Sequence, residues 1–275
     1  MLKEEIIKLI DTQNSINKDK IKSLLLPSLK FKLDDSVLAK FSSSKIGGYP
    51  PIFEEGYPSY NGIPLTFLGQ ISLDQISSTI NSLLPKSGLL YFFLLINHVN
   101  NRYPDRKNEY KVLYKKNAEK ENIDKKFPKI LEFPISFFEH YTFPSYQENV
   151  IVENKLTDED LNFIEDIESE IQYIESENFD VGHQVLGHPK AIQGTLRFWW
   201  AAKYLGFENI DTLTNEEIKK IKQIEDKFIL LLQLDFSDPK IIIDDFGSSI
   251  AYFGIHKKDL ENEDFDNVIL VMQNT

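Results

Sequence analysis

PLTFLGQISLDQI (64–76) decides the reading of this 275-residue chain. Its first eight residues form an apolar run of strand length, rich in side chains that suit a pleated surface. Ser72 and Gln75 follow at the three-residue spacing of a helix capping box. Leu73, Ile76, Ile80, Leu83 and Leu84 then recur at helical spacing, so the pattern predicts a helix over 73–84 that Pro85 stops. Gly88 opens a second strand, GLLYFFLLI (88–96).

The same order of blocks occurs again downstream. IGGYP (46–50), FLGQIS (67–72) and SGLLYFF (87–93) are answered by VLGHP (185–189), LLLQLD (230–235) and SSIAYFG (248–254). Gln70 precedes Tyr91 by 21 residues, and Gln233 precedes Tyr252 by 19. The Gly-to-Gln interval is 22 in the first copy and 46 in the second, because two helical segments within 194–228 are inserted there. An internal repeat is an architectural signal. The expectation is therefore an α+β fold with an internally duplicated β-rich core and peripheral helices. One compact domain is expected over 1–275, with duplicated halves 40–145 and 180–275 joined by an acidic helix over 157–177.

Outside the repeats the chain opens with two short helical patterns, Leu2–Ile10 and Ile21–Leu25, ended by Pro27. Phe31 to Phe41 reads as a strand and a turn. Val112, Leu113 and Tyr114 form one strand inside a Lys/Asn-rich segment. Residues 133–146 carry prolines among six aromatics and read as too proline-rich for a central strand. Thr157 and Asp160 cap a helix whose stripe, Leu161, Ile164, Ile167, Ile171 and Ile174, is expected to face the core. Glu165, Asp166, Glu168, Glu170, Glu175 and Glu177 are expected to face water.

Composition narrows the chemistry. There is no cysteine, which excludes disulfides, thiolate metal sites and thiol nucleophiles. Aromatics are plentiful, 20 Phe and 12 Tyr, so cores filled with rings are expected. The longest apolar run, Leu89–Ile96, is too short to span a bilayer, and the first sixteen residues mix acids and lysines unlike a signal peptide. A cytoplasmic protein is expected, with no membrane contact. The net charge of −12 argues against a nucleic-acid partner, because neutralising phosphates supplies most non-specific affinity. Acids concentrate over 148–180 and bases over 101–129, which reads as two oppositely charged solvated surfaces.

SKIGGYPPIF (44–53), PLTFLGQISL (64–73), LLPKSGLLYFF (83–93), GHQVLGHPKAIQG (182–194), ILLLQLD (229–235) and DDFGSSIAYFGIHKKDLENEDFDNV (244–268) carry a resemblance. Together they resemble the signatures of the YwqG-like family of bacterial proteins. A tryptophan common in that family after the Gly-Pro element is Tyr57 here. The resemblance implies an α+β fold and a bacterial cytoplasmic setting, and no activity. Some members lie near genes of secreted toxins, which makes toxin neutralisation a conceivable role.

Two function classes follow. The first is a non-enzymatic binding protein that recognises a protein partner. The second is a small-molecule-binding protein or enzyme with a polar cleft between the halves, near Gln70, Gln184, His188, Gln193 and Asp245. A glutamine in an apolar strand needs partners, since an unsatisfied buried amide costs about 1–3 kcal/mol. Gln70 and Gln233 are therefore each expected to hold backbone groups of the other half or of a neighbouring loop. Asp180, His183 and His188 have metal-ligand chemistry, but Gly182 and Gly187 break the segment, so no metal and no cofactor are expected. Asp244 and Asp245 alternate faces in a strand and read as a turn. No complete catalytic motif is present, and no catalytic residue is assigned.

Overall fold

The computed structural model describes residues 3–13, 15, 17–35, 40–76, 80, 83–96, 103–104, 106–117, 130–175, 182–243 and 246–274. The β-strands are β1 (Leu26–Leu33), β2 (Lys45–Ile46), β3 (Ser59–Tyr60), β4 (Ile63–Pro64), β5 (Thr66–Ser72), β6 (Leu89–Leu94), β7 (Tyr110–Lys115), β8 (Phe133–Thr142), β9 (Gln184–Leu186), β10 (Phe228–Asp235), β11 (Ser249–His256) and β12 (Ile269–Asn274). The helices are α1 (Lys3–Thr12), α2 (Lys18–Ser23), α3 (Asn149–Glu153), α4 (Asp158–Glu175), α5 (Leu196–Tyr204), α6 (Asn215–Lys222) and α7 (Lys257–Glu261). Ten strands form one antiparallel sheet in the order β12-β11-β10-β9-β1-β8-β2-β5-β6-β7, and β3 and β4 pair separately. The fold is α+β.

The apolar strands are buried on both faces, which explains their near-continuous hydrophobic sequence. Along β6, Leu90, Phe92 and Leu94 enter the largest core, while Leu89, Tyr91 and Phe93 pack with Phe53, Leu65 and Phe67 on the opposite face. Along β11, Ala251, Phe253 and Ile255 enter that same core, and Ile250 and Tyr252 lie under α5 with Trp200. The sheet curls until its second strands from either end touch, with Phe92 and Phe253 in edge-to-face contact at 5.1 Å. A separate core joins α1 and α2 to α4 through Ile6, Ile10, Ile21, Ile164, Ile167 and Ile171.

The two strand pairs flagged by the repeat have matching registers. Gln70 lies opposite Tyr91, and a bulge between Phe67 and Gly69 precedes it. Gln233 lies opposite Tyr252, and a bulge between Leu230 and Leu232 precedes it at the same offset. Lys45 pairs with Gln70 as Gln184 pairs with Gln233. The turns that follow are alike too, with positive φ at Gly47 and Gly48 and at Leu186 and Gly187. Lys45 Nζ donates to the Tyr49 carbonyl (3.5 Å) and Gln184 Nε2 to the His188 carbonyl (2.8 Å), each clamping the chain four residues on.

Several expectations change. Residues 133–142 do form a central strand, β8, which pairs with both β1 and β2. Its one proline, Pro134, is the second residue, where the carbonyl still accepts from Asp34 (2.9 Å); the following eight residues can complete the ladder. β1 begins at Leu26, earlier than the pattern predicts, and takes Pro27 into its start. Leu73–Gln75 is a 3-10 turn; residues 77–79, 81 and 82 of the predicted helix lie outside the described residues. In α4, Ile174 turns outward and Glu175 inward. Glu177 lies outside the described residues.

Candidate ligand groove

Of the predicted site residues that are described, Gln70 lies apart from Gln184 and His188. Gln70 is buried in β5 and donates to the carbonyls of Phe41 (2.7 Å) and Ser43 (2.8 Å). Gln184 donates to the Leu186 (3.0 Å) and His188 (2.8 Å) carbonyls. Gln193 donates to the Asn274 carbonyl at 2.8 Å. Gln184 and His188 are thus neighbours, but β1, β8 and β2 stand between β9 and β5 in the sheet. Asp244 and Asp245 lie outside the described residues, as does Asp180. Gln233 works in the same way, donating to the Gly182 carbonyl (2.5 Å) and accepting from Lys190 N (2.9 Å). In the first half the matching position is Pro51, which has no N–H to give.

The histidines also hold the fold. Asp235 N donates to His183 Nδ1 (3.0 Å), so Nε2 carries the proton and donates to Asp238 Oδ2 (3.0 Å), while Phe31 stacks on the ring at 5.0 Å. His188 Nδ1 accepts from Arg197 Nη1 (3.3 Å), leaving Nε2–H to donate to the Leu24 carbonyl (2.9 Å). Burial, and then the Arg197 charge, pushes the His188 pKa down to about 3, so the ring is neutral. Arg197 Nη1 also donates to Glu148 Oε2 at 2.9 Å. Both side chains are buried, as is Glu225 nearby. Among the described residues no three acid or histidine side chains group so as to hold a metal ion.

A groove of about 970 Å³ opens elsewhere, along the seam where the two ends of the sheet approach each other. One wall is β7 and the loop before it; the other is the 3-10 turn Phe265–Asn267 and the start of β12, with the end of α5 above. Its floor is apolar and buried: Tyr110, Val112, Phe265, Val268 and Ile269. Its rim is basic, with Arg106, Lys107, Lys111 and Lys203 against Glu208 and Asp266. Side chains tie the seam: Lys111 Nζ meets Asp266 Oδ1 at 2.6 Å, and Tyr114 contacts Phe265 at 5.1 Å.

Local sequence builds each wall. Glu109 Oε2 accepts from Arg106 N (3.1 Å) and, with Asn108 at positive φ, turns the chain into β7. Asp264 accepts from Asp266 N (3.3 Å) and caps the 3-10 turn. Gly206 ends α5 at φ +85°, with Gly206 N bonded to the Lys203 carbonyl (3.0 Å) and Phe207 N to that of Ala202 (2.9 Å). That pairing is a Schellman cap, and it carries Phe207 to Asn209 over the groove. Tyr204 is held there by stacking on His256 at 5.1 Å.

Sequence reasoning missed this groove because its lining comes from four distant segments, around 60, 106–112, 203–209 and 265–269, none with a motif. The one available signal was the run of bases over 101–129, of which residues 106–111 reach the rim.

The model of a family described as a domain of unknown function, DUF1963, matches residues 44–273. The chain belongs to this family. YwqG-like proteins are among the DUF1963 proteins, in keeping with the motifs quoted above. The match begins at Ser44, after β1, and takes in every groove segment from β7 onward. No curated protein matches the chain. No helix among the described residues is long and apolar enough to cross a membrane.

Proposed function

We propose that this DUF1963 protein is a non-enzymatic binding protein that holds a protein partner in the seam groove. The supporting observation is the groove's division into an apolar buried floor and a basic exposed rim, contributed by both ends of the sheet. Such a surface suits association, with the groove giving shape and rim charges giving steering and selectivity. Lysine and arginine at the rim suit an acidic partner. Gln70, Gln184 and Gln193, the three amides expected near a cleft, each donate to backbone carbonyls.

A second reading, a small anionic ligand in the same groove, is supported by the volume of about 970 Å³, which falls at the upper end of ligand-site sizes. Charge reversal at Arg106 and Lys107 tests both, using partners captured from cell extract at low and high salt and identified by mass. Loss of a salt-sensitive protein partner on reversal supports the first reading. An unchanged set of partners sinks it.

The architecture belongs to the same proposal: the two halves derive from one duplicated unit. Matching Gln–Tyr registers, matching bulges and matching turn clamps support this, as does the order of strands on either side of β1 and β8. Comparing aligned relatives over 40–95 with those over 180–270 tests it. Similarity no greater than between unrelated strands would leave the pattern as convergence.

A further inference from the structure

We infer, resting on the groove reading above, that the partner enters as an extended segment, apolar along one face with acidic residues flanking it, and pairs with the open edge of β12. The sheet order ends at β12 on one side and at β7 on the other. In an antiparallel ladder, alternate residues of a terminal strand turn their N–H and C=O away from the only neighbour. Such an edge is a template for another strand unless it is guarded.

The two edges are guarded very differently. β7 reads YKVLYK, with Lys111 and Lys115 on the strand and Lys116 just after it. The Phe265–Asn267 turn also lies against it, through Lys111–Asp266 and Tyr114–Phe265. β12 reads ILVMQN, with no charge and no proline. Its first residue, Ile269, lines the groove, so among the described residues the unpaired stretch of this edge starts where the apolar floor is, while its far end is held by Gln193, which donates to the Asn274 carbonyl (2.8 Å). A strand laid along it would place alternate side chains on Tyr110, Val112 and Val268, and acidic flanks beside Arg106 and Lys107. Main-chain hydrogen bonds would provide affinity, and the floor and rim would select the side chains.

The test uses the full chain and a fluorescein-labelled nonapeptide of alternating glutamate and valine. A lysine–valine peptide is the control, and dodecanoate the small-anion probe. Anisotropy titration should show binding of the acidic peptide, weakened at high salt, and none of the basic one. Arg106→Glu with Lys107→Glu, two exposed loop positions, should weaken it by roughly tenfold while the circular dichroism is unchanged. Hydrogen exchange should show amides within 269–274 slowing by roughly tenfold when the peptide is bound.

Binding that responds to the charge reversal without that slowing would overturn strand pairing and leave the groove reading standing. Binding of dodecanoate alone, with the same sensitivity, would overturn it in favour of a small anion. Binding of neither probe would overturn both.

Discussion

Arg197 donates a 2.9 Å hydrogen bond to Glu148, and both side chains are buried. The other carboxylate oxygen, Oε1, has no hydrogen-bond partner and no contact with solvent. Removing one member of such a pair is worse than removing both, because the survivor keeps its desolvation penalty without its counter-charge. Arg197→Leu should cost about 3–5 kcal/mol. The double variant with Glu148→Leu should cost clearly less than the two single changes summed. Urea unfolding of the four proteins measures this; strict additivity would mean the pair is not coupled.

Glu225 supplies a pH dependence near neutrality. Burial first, and then the charges of Asp226 and Glu148, raise its pKa from 4.5 to about 7, against the weaker opposite pull of Lys222 and Arg197. A carboxyl with a raised folded-state pKa contributes stability that is fully present below 4.5 and is lost as pH rises through about 7. His188 runs the other way: with its pKa lowered to about 3, its contribution is present above 6.5 and lost as pH falls. Glu225→Gln isolates the first effect. The gain of the variant over the wild type should grow between pH 5 and 8 and then level off. A gain independent of pH would show that Glu225 is ionised throughout.

Gly254 lies on β11 directly against Trp200 of α5. A Cβ added there would run into the ring of Trp200, which is wholly buried beneath the helix and donates to the Tyr252 carbonyl (3.4 Å). Gly254→Ala should cost about 1–3 kcal/mol, the usual range for overpacking a filled core. Combining it with Trp200→Phe should recover part of the loss, since the smaller ring leaves room for the methyl group. Thermal unfolding of the single and double variants decides it; no recovery would place the strain elsewhere.

The legible part of this fold is the part whose local chemistry is unambiguous. β5, β6, β10 and β11 announced themselves because both faces are buried, and the Gln–Tyr spacing marked a register that the sheet keeps. The cap at Thr157 forms as its spacing with Asp160 implies, whereas Ser72 makes no side-chain cap. What stayed hidden depends on distant partners. β8 looked too rich in proline until Pro134 proved to sit at its start, and β1 has no repeat signal to reveal that it pairs with β8 and β9. The glutamines read correctly as holders of backbone groups, whereas the groove of distant segments left only the run of bases over 101–129 as a trace.

The end of α4 shows a limit of periodicity and gives the last prediction. At 100° per residue, Ile174 lies 60° to one side of Ile171 and Glu175 about 40° to the other, so both sit at the margins of the apolar stripe. Neighbours decide between them. Glu175 turns inward because Lys30 Nζ (3.2 Å) and His140 Nδ1 (3.3 Å) meet its two oxygens, both bases projecting from the paired strands β1 and β8. Burial alone would raise its pKa, but the hydrogen bond with His140 and the Lys30 charge hold it well below the usual carboxylate range. Ile174 is left 51% exposed, and Ile171 only 4%. Ile171→Ala should therefore cost about 2–5 kcal/mol. Ile174→Ala should change stability by no more than about 0.5 kcal/mol. Glu175→Ala should cost about 1–3 kcal/mol at pH 7, by removing the carboxylate that a buried imidazole and a half-buried ammonium share. Because the Glu175 pKa is lowered, its contribution is present above 4.5 and lost as pH falls below it, so this last difference should shrink in acid. Urea unfolding at pH 7 and pH 4 separates the three. Equal losses for Ile171 and Ile174 would restore the simple stripe and remove the argument for an inward Glu175.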